Sequence, residues 1–294
     1  MLNTAFRDTH FRFTFKTDQY ALKLTYPFQR GSTLLKPQNE QKQHAKAATV
    51  LLHSSMSSGL QWQSLQPLLK GQSLAPDLLG YGKTNRPTNP RADHQLSFEV
   101  DHLADQLPEQ AFHLVGHSYG AATAIRLART QPEKILSLTL FEPVAFHLLD
   151  PEHPQRQAIM ILSAQIDHYL DAGQPAKAAA SFIDYWNGEG TFERLNEKMQ
   201  ALFCQGIIKV AYDFAALLNE DCSPKNLASI QCPVLLLEGA ESPATTHAVM
   251  RVLQQQFPQA EHHALPCGHM GPITHSDLVN PLVSHFIATH NNQG

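Results

Sequence analysis

The segment FHLVGHSYGAATAIRLA, residues 112–128, decides how this chain folds. Phe112 to Val115 is an apolar run of strand length, Gly116 and Gly120 bracket a serine, and Ala121 opens a run of good helix formers. Gly116-His117-Ser118-Tyr119-Gly120 is thus a G-x-S-x-G motif set between a strand and a helix. A serine at such a sharp turn has strained backbone, and the flanking glycines remove side chains that would strike the adjoining strand and helix. Its hydroxyl then stands exposed above the sheet, at a helix N-terminus. The plainer alternative is a glycine-rich turn with Ser118 as an N-cap. The strand–turn–helix context favours the nucleophile.

Working outward, short apolar runs alternate with segments of helical period. The runs are Thr49–Leu52, Ser73–Ala75, Phe112–Val115, Ile135–Phe141, Pro233–Leu237 and Glu261–Leu265. Helices are predicted near Gly59–Lys70, Gln95–Leu107, Tyr119–Thr130, Thr245–Phe257 and His275–His290. Alternation with strands apolar throughout predicts an α/β protein, a doubly wound, mostly parallel sheet covered on both faces. Two alternating segments nearer the start, His10–Lys16 and Tyr20–Tyr26, predict antiparallel strands and bring the sheet to about eight strands. The polar stretch Pro27–Lys46 reads as a long surface connection.

Before Pro233 the strand signals stop for about eighty residues, and helical patterns occupy Arg156–Ala172, Pro175–Asn187, Glu193–Phe203 and Lys209–Asn219. The expected division is core over 1–146, an all-helical cap over 147–224 and core over 225–294. An insertion leaving the C-terminal end of a strand lies where open α/β sheets bind ligands. It is placed to close over a pocket and shape it.

Composition narrows the function classes. The 294 residues are 43% hydrophobic with net charge −4, enough apolar material for a large core and no basic run. That argues against nucleic acid and anionic membrane as partners and for a small-molecule substrate. No motif specifies an oligomeric state. Met1–His10 has no apolar core of an export signal, and no apolar run reaches the roughly 18 residues of a membrane helix. The four cysteines, Cys204, Cys222, Cys232 and Cys267, form no C-x-x-C pair, so reduced thiols and a cytoplasmic location are expected. Among 17 histidines, the pair His262 and His263 with His269 suggests a metal, but adjacent strand residues face opposite ways and no carboxylate stands at ligand spacing. No metal and no cofactor are expected. Gly82-Lys83-Thr84 lacks the glycine that a phosphate-binding loop needs at position 77, which is Asp.

A serine hydroxyl attacks only when a base takes its proton. His269 is placed for this in Gly268-His269-Met270-Gly271, just after the last strand. The elbow at Ser118, the loop Val50–Gly59 with His53 and Ser54, and this Gly-His turn together resemble the α/β-hydrolase superfamily, in its chain order Ser, acid, His. The likeness runs from about residue 10 to about residue 290 outside the helical insertion. It implies that the backbone N–H groups of Ser55 and Tyr119 bind the developing oxyanion, with Ser54 standing where the family has glycine. His53 is expected to hydrogen-bond locally, and Asp77 to Gly82 resembles a structural turn of the family.

The acid departs from the usual pattern. The family's usual position, three residues beyond the glycine that ends the seventh strand, falls on Ser242, with Glu241 one residue off. Glu142, at the tip of the strand ending at Phe141, is where the haloalkane-dehalogenase branch of the superfamily places its acid. A carboxylate there is costly to bury unless an imidazolium pairs with it. Glu142 is therefore expected to serve His269, with Glu241 the alternative. Trp62, Tyr119, Phe146, Tyr185 and Trp186 are candidates either to line an acyl pocket or to pack the core. The resemblance implies a cofactor-independent serine hydrolase acting on an ester, thioester or related carbonyl compound. The alternatives are C–C bond hydrolysis or perhydrolysis on the same triad, or a non-catalytic ligand-binding protein of the same fold.

Overall fold

A computed structural model describes residues 46–291. Six parallel strands form one sheet: β1 Thr49–Leu52, β2 Ser73–Leu74, β3 Phe112–His117, β4 Ile135–Phe141, β5 Val234–Gly239 and β6 Glu261–Leu265. Their spatial order is β2-β1-β3-β4-β5-β6. The antiparallel strands expected at His10–Lys16 and Tyr20–Tyr26, and the connection Pro27–Lys46 up to its last residue, lie outside the described residues.

The central strands β1, β3, β4 and β5 are buried on both faces because both are covered, whereas the edge strand β6 is largely exposed. Val50, Leu52, Leu114, Leu138, Leu140 and Leu236 point into one core; Leu51, Val115, Phe141, Leu235 and Leu237 point into the other. The helices are α1 Leu96–Leu103, α2 Tyr119–Thr130, α3 Pro154–Asp171, α4 Pro175–Asn187, α5 Glu197–Leu218, α6 Ala244–Gln256, α7 Gly271–Thr274 and α8 Ser276–His290. The first core takes α1, α2 and α6; the second takes α8 through Val279, Val283, Phe286 and Ile287. From β1 the chain moves outward to β2, then crosses back to β3 on the other side of β1. This reversal opens a crevice at the C-terminal ends of β1 and β3.

Three helices, α3 to α5, fill the interval between β4 and β5. Proline sits in the first turn of α3 and of α4, where its missing N–H costs nothing. Asn196 caps α5 by accepting from the Met199 N–H at 2.9 Å. Apolar residues of this cap, among them Ile159, Ile166, Ile183, Val210 and Phe214, join the first core without a break.

Two expectations are corrected. Gly59–Lys70 is not one helix but two short 3-10 turns, Gly59–Trp62 and Gln66–Leu68, because Pro67 interrupts a continuous ladder. The segments Glu193–Phe203 and Lys209–Asn219 are one helix, α5, running through Gly206. A mid-helix glycine costs only about 1 kcal/mol against alanine, which burial of the rest of the helix outweighs. Uninterrupted, α5 has 22 residues and a stretch of mean hydropathy 1.5, long and apolar enough on those grounds alone to cross a membrane. Here it packs on the core and buries Lys209 and Asp213 on the same face as Val210 and Phe214.

The strand–turn–helix at Ser118 depends on two missing side chains. A Cβ at Gly116 would lie 2.5 Å from the Ala121 Cα, and one at Gly120 would lie 2.5 Å from the Leu52 carbonyl oxygen. We expect Gly120→Ala to push α2 away from β1 and to lower unfolding stability by about 1–3 kcal/mol, read from denaturant midpoints.

Burial also holds histidines neutral. Loss of hydration pushes His53 and His147 down to about 4, and keeps His117 well below its ordinary value. Unfolded, His53 and His147 would each bind a proton below the ordinary value of 6.5, whereas in the folded chain they resist until about 4. The unfolded state therefore holds more protons throughout that window, so stability falls as pH drops through it. The slope is about 1.4 kcal/mol per pH unit for each such histidine. Urea midpoints measured at pH 7 and pH 5 should show the loss, and His147→Gln should reduce it.

Candidate active site

Ser118, Glu142, Glu241 and His269 all come from turns or loops at the C-terminal edge of the sheet. Register sets them side by side: His117 pairs with Phe141 between β3 and β4, and Phe141 with Leu237 between β4 and β5. Ser118 follows the first strand of this trio, Glu142 the second and Gly239 ends the third. The Ser118 N–H donates to the Phe141 carbonyl at 3.0 Å, and the Glu142 N–H to that of Leu237 at 3.0 Å.

Side chains then meet in line. The Ser118 Oγ lies 2.9 Å from the His269 Nε2, and the His269 Nδ1 lies 2.5 Å from the Glu142 Oε2. The second carboxylate oxygen of Glu142 accepts the Gly239 N–H at 2.7 Å. Glu142 has no exposure to water, so each oxygen needs the donor it has. Gly239 must be glycine here: a Cβ would run into the carbonyl of Cys267 and come within 2.8 Å of that of Gly268, in the loop that carries His269. His117 ties the same loop from below, its Nε2–H donating to the His269 carbonyl at 2.8 Å.

Backbone strain is confined to this edge. Among the described residues the non-glycine positions with positive φ are Met56 at 56°, Ser118 at 55° and Glu142 at 42°. They follow β1, β3 and β4, and each bends the chain so that a side chain or N–H faces the crevice.

Ser118 is buried, not exposed as its motif predicts. It is 6% exposed, with Trp186 of α4 and Val210, Phe214 and Leu217 of α5 lining the space beside it. Above it a cavity of about 20 Å³, space for roughly one water, is lined by Ser55, Ser118, Val144, Phe146, Trp186, Val210, Asp213, Phe214 and Leu217. The Trp186 ring stacks on His269 at 4.3 Å between centroids and 24° between planes. Of the aromatic candidates, Phe146 and Trp186 reach the cavity. Trp62 packs in the core with α8, Tyr185 donates to Thr245 at 2.9 Å, and Tyr119 directs its hydroxyl away to Glu99 at 2.9 Å.

The remaining candidates fall as follows. Neither the Ser55 nor the Tyr119 backbone N–H donates to an acceptor among the described residues, and these residues stand at the ends of the two loops that flank the crevice. Glu241 is exposed, its N–H donating to the Cys267 carbonyl at 3.0 Å, and its side chain makes no hydrogen bond or ion pair with His269, whose ring bonds to Ser118 and Glu142. His53 donates from Nδ1 to the Ser54 carbonyl at 2.7 Å and accepts the Leu78 N–H at Nε2, a local role. Asp77 gathers the N–H groups of Gly59 and Lys83 at 2.8 and 2.9 Å, which organises the turn after β2. His262 and His247 both contact Glu238, while His263 contacts Glu261. The described residues hold no cluster of three or more His, Cys, Asp or Glu arranged to bind a metal ion.

Sequence reasoning missed a buried charge cluster beside the cavity. Lys209 and Asp213, from α5, meet Glu99, from α1, in a site sealed from water. The available signal was a pair of charges at i and i+4 on the apolar stripe of a helix. Lys209 holds Glu99 down to about 2 against the cost of its burial, and burial pushes Asp213 up.

Comparisons with known proteins agree with this architecture. The sequence model of the alpha/beta hydrolase fold family matches residues 49–276. A poly(3-hydroxyalkanoate) depolymerase of Ectopseudomonas oleovorans is 25% identical over 228 residues, covering 76% of this chain and 77% of that one. The epoxide hydrolase srdG of Neurospora crassa is 29% identical over 187 residues, 61% of this chain and 52% of its own length. The chain thus spans about half of that relative. Among solved structures, a hydrolase from Pseudomonas aeruginosa superposes with TM-score 0.66 at 24% identity, covering 82% of this chain and 90% of the other. The enol-lactonase of Burkholderia xenovorans gives 0.65 at 20% identity, over 85% and 94%. With the family match spanning most of the sequence and a parallel sheet that brings its elbow serine to a histidine, the chain belongs to the alpha/beta hydrolase fold family.

Proposed function

We propose that this chain is a hydrolase that cleaves a small ester, thioester or related carbonyl compound through an acyl-enzyme on Ser118, His269 and Glu142. The observation that carries this reading is the unbroken hydrogen-bonded line from Ser118 Oγ through both ring nitrogens of His269 to a buried carboxylate.

The chemistry follows from that line. With its Nδ1–H donated to Glu142, the neutral imidazole has Nε2 free to accept the Ser118 proton as Oγ attacks the carbonyl carbon. The carbonyl π pair moves to oxygen, and the N–H groups of Ser55 and Tyr119 hold the resulting oxyanion. Collapse expels the leaving group, which takes the proton from His269. Water then attacks the acyl-enzyme by the same route and frees the acid. Glu142 remains a carboxylate throughout and stabilises the imidazolium. Trp186, stacked on the ring, presents its π face to the same cation.

Two considerations bear on the substrate. The cavity wall contributed by Val144, Phe146, Trp186, Val210, Phe214 and Leu217 is apolar and suits an uncharged acyl chain. A relative at 25% identity is named for depolymerising poly(3-hydroxyalkanoate), a polyester, which favours ester cleavage. Relatives named as epoxide hydrolase and haloalkane dehalogenases share part of the chain. A serine alkylated by an epoxide or haloalkane would be an ether, with no carbonyl for water to attack, so their substrates do not fit this nucleophile. Cofactor-free catalysis on a small molecule, with no nucleic-acid or membrane partner, belongs to the same reading.

The test uses a graded panel of p-nitrophenyl esters and a fluorophosphonate probe. Ser118→Ala should abolish labelling and leave ester turnover no greater than the roughly 10³–10⁴-fold over water that binding and the oxyanion hole supply, with an unchanged fold by circular dichroism. Turnover near the wild-type rate would overturn the nucleophile.

The acid is tested separately. Glu142→Gln should lower kcat by about 10³–10⁴-fold, by analogy with loss of a triad carboxylate, whereas Glu241→Gln at the surface should change it less than about twofold. The reverse pattern would name Glu241 as the acid.

A further inference from the structure

The buried cluster beside the cavity has a geometry that a packing role leaves unexplained. Asp213 accepts the Ser55 Oγ–H at 2.5 Å and, on the same oxygen, the Tyr81 hydroxyl; its other oxygen takes the Lys209 ammonium. Lys209 also donates to the Glu99 Oε1 at 2.9 Å, and that oxygen accepts the Tyr119 hydroxyl at 2.9 Å. The ammonium lies over the Tyr81 and Tyr119 rings, 5.0 and 4.8 Å from their centroids. Glu99 is closed off further by the Leu79 N–H at 2.9 Å.

Ser55 and Tyr119 are the two residues whose N–H groups the proposed mechanism assigns to the oxyanion. Both have their side chains anchored in one cluster, and its Lys209 and Asp213 belong to α5, an element of the cap. The helix also passes close to the same loop at a second point. Gly206 faces Met56, where a Cβ would meet the Met56 Cγ at 3.5 Å, and Met56 holds the positive φ that turns the chain just after Ser55. Two carboxylates and one ammonium, all sealed from water, are a costly way to fill space, since apolar residues of similar volume would pack without that desolvation.

We propose that Asp213, seated by Lys209, is a positioning residue that aims the Ser55 backbone N–H, so that the oxyanion hole is completed by helix α5 of the cap. The inference rests on the hydrolase reading above and goes beyond it. The Ser55 hydroxyl donates its only hydrogen to Asp213, so the side chain is a tether and the main chain is left to bind the oxyanion. An oxyanion donor must be held to a fraction of an ångström, and misplacement by about 1 Å costs on the order of a hundredfold in rate.

The experiment uses the full chain and four variants: Ser55→Ala, Ser55→Thr, Asp213→Asn and the double Ser55→Ala/Asp213→Asn. Fluorophosphonate titration counts active sites, and kcat and KM are measured on a p-nitrophenyl ester. Ser55→Ala removes one oxygen from a small side chain and leaves the fold at little risk, so the test stands even if Asp213→Asn unfolds. The expected result is a fall in kcat per titrated site of roughly ten- to a hundredfold with KM within about twofold, recovered by Ser55→Thr, which keeps the hydroxyl. The double variant should be no slower than the slower single one, because both break one tether. A Ser55→Ala enzyme with wild-type kcat per site overturns the inference, as does a double variant whose loss is the product of the two single losses. If the wild-type chain neither reacts with the probe nor cleaves any ester, the hydrolase reading itself fails and takes this inference with it. An active, labelled wild type with an unaffected Ser55→Ala variant sinks the positioning role alone.

Discussion

A carboxylate with no access to water has to be met by donors on both oxygens, and Glu142 is met by the His269 ring at 2.5 Å and the Gly239 N–H at 2.7 Å. Much of the local structure answers to that demand. Strands β4 and β5 must end at the same edge so that the tip of one reaches the backbone of the other. Position 239 must be glycine, because the loop carrying His269 crosses directly over it. Glu142 itself must take positive φ to turn its side chain from the strand direction toward the histidine. The conformational cost of that turn is offset by the ionic hydrogen bond it permits.

The same economy governs the neighbouring loops. Residues with positive φ after β1, β3 and β4 lie at the crevice formed where the strand order reverses, and nothing comparable occurs at other non-glycine positions among the described residues. Rigid parallel strands can hold such turns because their own hydrogen bonds and two apolar cores fix the strand ends. Glycines at 116 and 120 let α2 approach the sheet closely enough to place its N-terminus at Ser118. The catalytic reading of this site draws on a strained scaffold that only a well-packed sheet sustains.

The cap contributes more than a cover. Its apolar helices continue the first core, and it brings Trp186 onto the face of His269 and a hydrogen-bond acceptor onto Ser55. The space above Ser118 is about 20 Å³, room for roughly one water. Residues of α4 and α5 thus line the space at Ser118, and α5 also anchors the Ser55 side chain.

By itself the sequence determined the order of the six described strands, the elbow at Ser118 and the loop histidine at 269, because each rests on local signals: a short apolar run, a glycine where a turn demands it, a motif within five residues. It narrowed the acid to two carboxylates, each at a strand tip. Which of them meets the imidazole was a matter of direction, buried toward the ring for Glu142 and turned to solvent for Glu241, and direction at a strand end is set by neighbouring strands. The continuity of α5 through Gly206 was likewise beyond a local reading, because propensity at one position is overridden by the burial of a whole helix face. The Glu99, Lys209, Asp213 cluster was the least legible feature. Its members lie up to 114 residues apart and are neighbours only because the cap folds back across the C-terminal edge of the sheet, where apolar packing of α5 carries its two charges into contact with α1 and the loop after β1.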